Sequence, residues 1–211
     1  MTGIGIGVGV GIGGLAAGAV TAPTTSFDPA AKNPNITLSN GNLTVKQTGS
    51  NGTSVCVRSL ASHSSGKYYC EFRADTVAFG EQINIGIVDS TIDLTAGAYQ
   101  LGLDGHSCGC YFNDNRIRGF TTAGNSGVGL TNGLWNAMAF DIDGGKLWFR
   151  DNAGVWQNSG DPAAGTNPSI SAIPGATWFV LMGWTVINDQ ITWNFGATAY
   201  TFTPPVGFKN W

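Results

Sequence analysis

Few side chains of this 211-residue sequence are spaced for catalysis or metal binding. The two histidines, His63 and His106, stand beside serine or glycine, and neither belongs to a metal-ligand or triad-like pattern. Asp141 and Asp143 lie two residues apart and could pair around Ca²⁺, because that ion prefers carboxylate oxygens. A glycosidase pair of carboxylates stays open, but no feature of the sequence points to one. We therefore predict no catalytic residue, no metal site and no cofactor.

Four cysteines form the second group of reactive side chains, and their spacings match no standard zinc motif. Cys108 and Cys110 enclose one glycine, so an extended chain places both thiols on the same side, with Cα atoms about 6.5 Å apart. Cys56 stands between two valines and faces outward if the valines face the core. Outward thiols would allow Cys56, Cys108 and Cys110 to form disulfides with neighbouring chains. The alternatives are free thiols or an intrachain bond.

A segment that mixes aromatic, amide and arginine side chains is the candidate ligand-binding loop. Such a mixture suits contact with a sugar or a protein, and binding residues concentrate on loops. The predicted ligand-binding residues are Tyr111, Asn113, Arg116, Arg118 and, from a second loop, Trp156. The alternative is that they are ordinary hairpin residues of a sheet.

Composition and periodicity predict the elements that must position these residues. Only 11% of the residues are charged, against roughly 25% in an average domain, and 32 are glycine, so long surface helices are not expected. Aromatic residues make up 11%, which is enough for a large core. The net charge is −3 and the basic residues are scattered, so we predict no nucleic-acid partner.

Short strands of alternating hydrophobicity recur about every ten residues. This spacing is typical of an antiparallel β-sandwich. The predicted strands lie at residues 37–45 (a hairpin around Asn40-Gly41), 55–58, 67–72, 83–88, 99–103, 137–142, 146–150, 178–182 and 191–195. We therefore predict an all-β domain over residues 27–211.

Residues 1–26 are predicted to be an assembly arm with a linker. From residue 3 to residue 13, glycine alternates with the branched residues Ile4, Ile6, Val8, Val10 and Ile12. A period of two places these side chains on one face of an extended strand. A lone strand of this kind would leave its edge unpaired, so we expect it to pair with a neighbouring subunit. A flexible glycine-rich leader is the alternative.

The same segment is weak as a signal peptide or a membrane span. No lysine or arginine precedes its apolar run, as the start of a signal peptide requires. Only about twenty apolar residues are available for a span, and glycine, a poor helix former, is frequent among them. We predict no membrane span.

Several motifs resemble those of the SPRY-domain family. They occur in the family's order and together cover about residues 27–211. The motifs are SGKYYCEF at 65–72, Ile85-Gly86-Ile87, the segment 99–119 with Asp104-Gly105, AFDID with GKLWF at 139–149, Asn194-Phe195-Gly196 and the closing PPVGF at 204–208.

The resemblance implies a concanavalin-like bent β-sandwich that serves as a binding or scaffolding module without catalysis. Glu71 matches a glutamate with a structural position in the family's strand. Cys70 stands where the family has a core phenylalanine, which implies a buried thiol.

An arm joined to one weakly charged sandwich resembles the SPRY-carrying virion proteins of tailed phages. We therefore expect a non-enzymatic, homo-oligomeric virion component that is assembled in the host cytoplasm, either a tail, collar or fibre protein or a capsid decoration. Its partners would be other virion proteins, bound through the arm. One alternative is an adhesin that binds a surface glycan or a receptor, and another is a secreted lectin whose N-terminus is a signal.

Overall fold

The computed structural model describes residues 25–49, 55–77, 83–94, 101–102, 105–112, 116–120, 122–125, 129–184 and 186–211. The predicted arm, with Ile4, Ile6, Val8, Val10 and Ile12, lies outside these ranges. Within them, the regular elements are β-strands and one 3₁₀ turn at Gln157–Ser159. The strands are β1 (Phe27–Lys32), β2 (Ile36–Ser39), β3 (Thr44–Gln47), β4 (Val55–His63), β5 (Lys67–Thr76), β6 (Ile83–Asp89), β7 (Ser107–Tyr111), β8 (Arg116–Gly119), β9 (Thr122–Asn125), β10 (Trp135–Asp141), β11 (Lys146–Arg150), β12 (Trp178–Trp184), β13 (Gln190–Asn194) and β14 (Lys209–Asn210).

The strands form two sheets that pack face to face. The first sheet has the order β1-β4-β12-β6-β7-β8-β9, and the second has the order β11-β10-β5-β13-β3-β2. All of these pairings are antiparallel. The short strand β14 adds to the second sheet by parallel pairing with the start of β5. The predicted antiparallel β-sandwich is confirmed.

Aromatic rings fill the interior between the two sheets. Phe27 of β1 packs edge-on against Trp193 of β13, with ring centroids 5.4 Å apart. Phe112 contacts Phe72 at 5.3 Å and Phe149 at 5.9 Å in the same geometry. Edge-to-face pairs of this kind contribute about 0.5–1.5 kcal/mol each beyond their buried area. The abundance of aromatic residues therefore supplies the core.

Each sheet also carries a smaller apolar cluster on its outer face, because successive residues of a strand point to opposite faces. The first-sheet cluster consists of Cys56, Val88, Leu94, Leu101, Tyr111 and Leu181. The second-sheet cluster consists of Tyr69, Ala137, Ala139 and Trp148, and it is packed against by Trp156, Tyr200, Phe202 and Phe208. Neither sheet is therefore a simple alternation of buried and exposed residues.

Several predicted strands and turns are confirmed. Residues 37–45 form the hairpin of β2 and β3, and Asn40, Gly41 and Asn42 all adopt positive φ in its turn. Gly86 of β6 lies directly opposite Gly109 of β7. A Cβ atom on either glycine would collide with the facing backbone. The two strands can approach because both residues lack one.

One predicted strand is wrong in its described part. The alternation of Tyr99, Leu101 and Leu103 suggests an extended segment, but Leu101 and Gly102 form a turn, and Gly102 has φ 77°. Leu101 is fully buried in the first-sheet cluster, so its hydrophobicity reflects packing rather than strand periodicity. Tyr99 and Leu103 lie outside the described residues. No helix in the described ranges is long and apolar enough to cross a membrane.

Candidate functional site

A solvent-open pocket lies where β4 ends, β5 begins and the C-terminal strand β14 returns. We call it the terminal pocket. Its volume is about 500 Å³, within the range of ligand-binding clefts. It is lined by Thr25, Ala61, His63, Tyr68, Lys209, Asn210 and Trp211.

A tight turn and a long-range strand pairing build the terminal pocket. Gly66, with φ 98°, lies in the turn that reverses the chain between β4 and β5, so that the end of one strand faces the start of the next. The parallel pairing of Lys209 with Tyr68 then brings the C-terminal residues alongside. The backbone N–H of Trp211 donates to the Tyr69 carbonyl at 3.1 Å, and its indole N–H donates to the Ala61 carbonyl at 3.3 Å.

The walls of the terminal pocket are aromatic and fixed in place. The His63 ring stacks on the Tyr68 ring, with centroids 3.7 Å apart and planes 11° from parallel. Trp211 packs edge-on against both, at 5.2 Å from His63 and 5.6 Å from Tyr68. Because three rings brace one another, no ring can turn away without losing contacts.

The polar groups of the terminal pocket are few. Burial, together with the neighbouring charge of Lys209, lowers the pKa of His63, so its neutral form is favoured. The Nε2 atom of His63 is buried and has no hydrogen-bond partner among the described residues. Lys209 contributes the charge of the lining, which includes no carboxylate side chain. The pocket therefore combines apolar walls, one unsatisfied ring nitrogen and one cation.

The predicted ligand-binding residues are divided between opposite faces of the sandwich. Tyr111 is buried in the first-sheet cluster, where its hydroxyl donates to the Leu101 carbonyl at 3.1 Å. The guanidinium groups of Arg118 and Arg116 lie over its ring, at 5.5 Å and 6.0 Å from the centroid. Asn113 lies outside the described residues.

Trp156 instead packs on the second-sheet cluster. Its ring centroid is 6.5 Å from that of Tyr69, and the Arg150 guanidinium lies 5.3 Å from the Trp156 centroid. The five residues therefore do not form one binding surface. Their individual roles in binding stay predictions.

The cysteine interpretation requires a correction. Cys56, Cys108 and Cys110 are fully buried and free, so the expectation of exposed thiols is wrong, while inter-chain disulfides through them stay a prediction. Cys56 does point away from the main core, but the first-sheet cluster covers it, and burial raises its pKa to about 12. Cys108 and Cys110 lie together in the main core, on the same side of β7. Cys70 is buried as well.

The remaining chemistry-bearing residues serve the fold. Glu71 is fully buried, and its carboxylate accepts hydrogen bonds from the Tyr69 hydroxyl at 2.9 Å and from the backbone N–H groups of Thr201 and Phe202 at 2.8 Å. Asp141 forms an ion pair with Lys67 at 3.1 Å. No group of three or more candidate ligands that could hold a metal ion occurs in the part of the chain that the structure describes.

His106 has a partner that the sequence did not reveal. Its Nδ1 lies 2.8 Å from Asp89, and the Thr91 hydroxyl donates to the same aspartate at 2.6 Å. Partial burial alone would raise the pKa of Asp89, but hydrogen bonds from Thr91 and His106 outweigh it, so the pKa lies below its ordinary value. Asp89 and His106 are 17 residues apart in sequence, and the pairing of β6 with β7 brings them together.

Comparison with known proteins identifies the fold. The chain matches the SPRY domain of human HERC1 with a TM-score of 0.62 and 13% identity, over 82% of this chain and 100% of that one. It matches the TRIM65 PSpry domain with a TM-score of 0.58 and 16% identity, over 82% and 90%. It also matches stonustoxin with a TM-score of 0.56 and 16% identity, over 81% of this chain and 27% of the toxin. No family model and no curated protein matches the sequence.

At these identities the likeness establishes the fold. The protein is an all-β sandwich of the SPRY type, as its motifs suggest.

Proposed function

We propose that this chain is a non-enzymatic interaction protein of a larger assembly. The observation that carries the proposal is a contrast within the sandwich. Glu71 and Asp141 are engaged by the fold itself, whereas the apolar terminal pocket is open to solvent. Carboxylates held in this way are poor candidates for proton transfer. Covering an open apolar wall with a partner is favourable, because it removes apolar surface from water.

The finer proposal is a phage virion component, either a tail, collar or fibre protein or a capsid decoration. It is supported by the strict glycine alternation from residue 3 to residue 13 and by the resemblance to SPRY-carrying virion proteins. In this proposal residues 1–26 anchor the chain to neighbouring copies and to other virion proteins. The sandwich then faces outward from a homo-oligomer.

Light scattering of the full-length chain tests the anchoring role. The variant Ile6→Thr/Val8→Thr/Val10→Thr keeps the length and β-propensity of the segment but removes most of its apolar face. We expect it to convert a defined oligomer into a monomer with an unchanged melting temperature.

A matched control places three threonines on the sandwich. Leu60, Val155 and Val206 are exposed, so the variant Leu60→Thr/Val155→Thr/Val206→Thr should keep the wild-type mass. If the arm variant also keeps the wild-type mass, or if the wild type is a monomer, the anchoring of copies of this chain to one another is refuted.

An adhesin is the second candidate, and the arginines on the first sheet favour it. Arg118 lies over the Tyr111 ring, and its Nε atom is buried without a hydrogen-bond partner among the described residues. A sugar hydroxyl or carboxylate could accept from such a group. Binding of the wild-type chain to a glycan array would distinguish this candidate from a purely structural subunit.

A further inference from the structure

We propose that the terminal pocket receives an apolar side chain from an acidic segment of a partner protein. The inference deepens the proposed interaction role and rests on it. Three observations carry it: the shape and chemistry of the walls, the unsatisfied nitrogen of His63 and the exposed ammonium group of Lys209.

The walls favour an aromatic or large aliphatic side chain. Tyr68, His63 and Trp211 present ring surfaces, and Ala61 adds a small apolar patch between the strands. The indole N–H of Trp211 is already bound to the Ala61 carbonyl, so this ring offers its carbon surface. A sugar would bring more hydroxyl groups than such walls can satisfy, and unsatisfied hydroxyls are costly to bury.

The His63 nitrogen indicates that a polar group accompanies the apolar one. A buried polar atom without a partner destabilises the state that contains it. A half-turn of the ring about its Cβ–Cγ bond keeps the stack on Tyr68 and exchanges the positions of Nε2 and Cε1, so the ring can reorient toward a bound group. A peptide backbone supplies both a donor and an acceptor beside each side chain, so it can satisfy either tautomer of a neutral histidine.

The charge of the lining selects an acidic segment. Lys209 is exposed at the pocket, and its lining contains no Asp or Glu side chain. The nearby ammonium group of Lys67 already forms an ion pair with Asp141, with Nζ and Oδ2 3.1 Å apart. A carboxylate next to the inserted side chain would therefore meet one available ammonium group, which steers binding and contributes about as much as an exposed ion pair.

The sequence contains two histidines, so the signal of His63 can be assigned and followed when a peptide binds. In the full-length protein, the imidazole C–H signals of His63 and His106 can be followed by NMR, with His106 as the internal reference. The probe is a capped peptide in which one phenylalanine is flanked on each side by two aspartates. Two control peptides replace the phenylalanine by alanine or the aspartates by lysines.

We expect the acidic phenylalanine peptide to shift the His63 signal and to leave His106 in place. The two control peptides should shift neither signal. Ala61→Leu, which narrows the pocket, should abolish the shift. Lys209→Glu should weaken binding about fivefold, the equivalent of an exposed ion pair.

A charge-matched control lies at the far end of β5. Lys46 of β3 lies opposite Gln190 of β13, and Gln190 lies opposite Thr76 of β5. Thr76 is eight residues from Tyr68 on β5, which corresponds to about 26 Å along the strand. Lys46→Glu should leave the affinity unchanged within twofold.

Three results would overturn the inference. The first is an unshifted His63 signal with the acidic peptide, and the second is an equal response to the lysine peptide. The third is a His63 signal that moves, without any peptide, in the Ile6→Thr/Val8→Thr/Val10→Thr variant, because the chain's own N-terminal segment would then fill the pocket. Light scattering reports on the assembly separately, so failure of the pocket proposal and failure of the assembly proposal give different results.

Discussion

Tyr68 and Tyr69 are neighbours on β5, yet they face two regions that differ in almost every respect. Tyr69 is fully buried in the second-sheet cluster, beneath the segment that contains Tyr200 and Phe202. Its hydroxyl is bound by Glu71, and its carbonyl accepts from the Tyr200 hydroxyl at 3.1 Å. Tyr68 forms a wall of the terminal pocket, beside a histidine nitrogen without a partner.

The difference shows how one strand supplies both a structural anchor and a binding surface. On the Tyr69 side, the polar groups of Tyr69, Glu71 and Tyr200 pair within the chain. On the Tyr68 side, the chain provides apolar area and leaves a polar atom unsatisfied. A buried polar atom without a partner destabilises the folded state, and a bound group that satisfies it recovers part of that free energy.

The largest effect is expected from Glu71→Ala. The change leaves the Tyr69 hydroxyl and two backbone N–H groups without their acceptor in a buried place. We expect a loss of about 4 kcal/mol in the free energy of unfolding, measured by urea denaturation. Glu71→Gln keeps one acceptor oxygen and should lose less. Equal stability of the alanine variant and the wild type would remove the distinction between the two sides of β5.

Two variants that each remove one tyrosine hydroxyl test the difference between the two sides of β5, with effects on stability of intermediate size. Tyr200→Phe removes the hydrogen bond to the Tyr69 carbonyl and should cost about 1 kcal/mol in unfolding free energy. Tyr68→Phe removes a hydroxyl at the open pocket, and its cost should stay within about 0.5 kcal/mol. Urea denaturation of both variants checks the order. A larger loss for Tyr68→Phe would mean that the pocket side is also a structural anchor.

The smallest effect concerns the pH dependence of stability. Burial lowers the pKa of His63 below its ordinary value of 6.5, so on acidification the unfolded chain takes up this proton first. The folded state therefore has its full stability, as far as His63 is concerned, above about pH 6.5. It loses stability as the pH falls toward the folded-state pKa of His63. Wild type should therefore lose more stability than His63→Gln between pH 7.5 and pH 5, measured by thermal unfolding.

The lowered pKa of Asp89 affects both proteins in the same way and cancels in the difference between them. An identical loss of stability in wild type and His63→Gln would show that His63 is not desolvated.

Local sequence signals predicted much of the sandwich. The Asn40-Gly41 turn and the aromatic run at 67–72 depend on neighbouring residues, and the hairpin and the first part of β5 follow from them. The burial of Cys56 could not be predicted from its neighbouring residues in the sequence. Leu94 and Leu101 cover the outer face of its sheet, and they are more than thirty residues away in sequence. A valine-cysteine-valine alternation indicates the face of a side chain, but not whether another segment covers that face.

The terminal pocket was missed for the same reason. Its walls come from β4, β5 and the C-terminal residues, and only the parallel pairing of β14 with β5 brings them together. His63 alone, between two serines, carries no signal of a site. The closing motif at 204–208 marks the end of the sandwich and gives no indication of where the three residues after it lie.

The bonds between Glu71 and the segment at Thr201 have a consequence for synthesis. These partners are 130 residues apart, so at the usual rate of translation Glu71 waits roughly 7 to 26 s for them. β10, β13 and β14 also follow β5 in the chain, which leaves both edges of this ten-residue strand unpaired on the ribosome. During this interval the unpaired edges can pair with those of a neighbouring nascent chain on the same polysome.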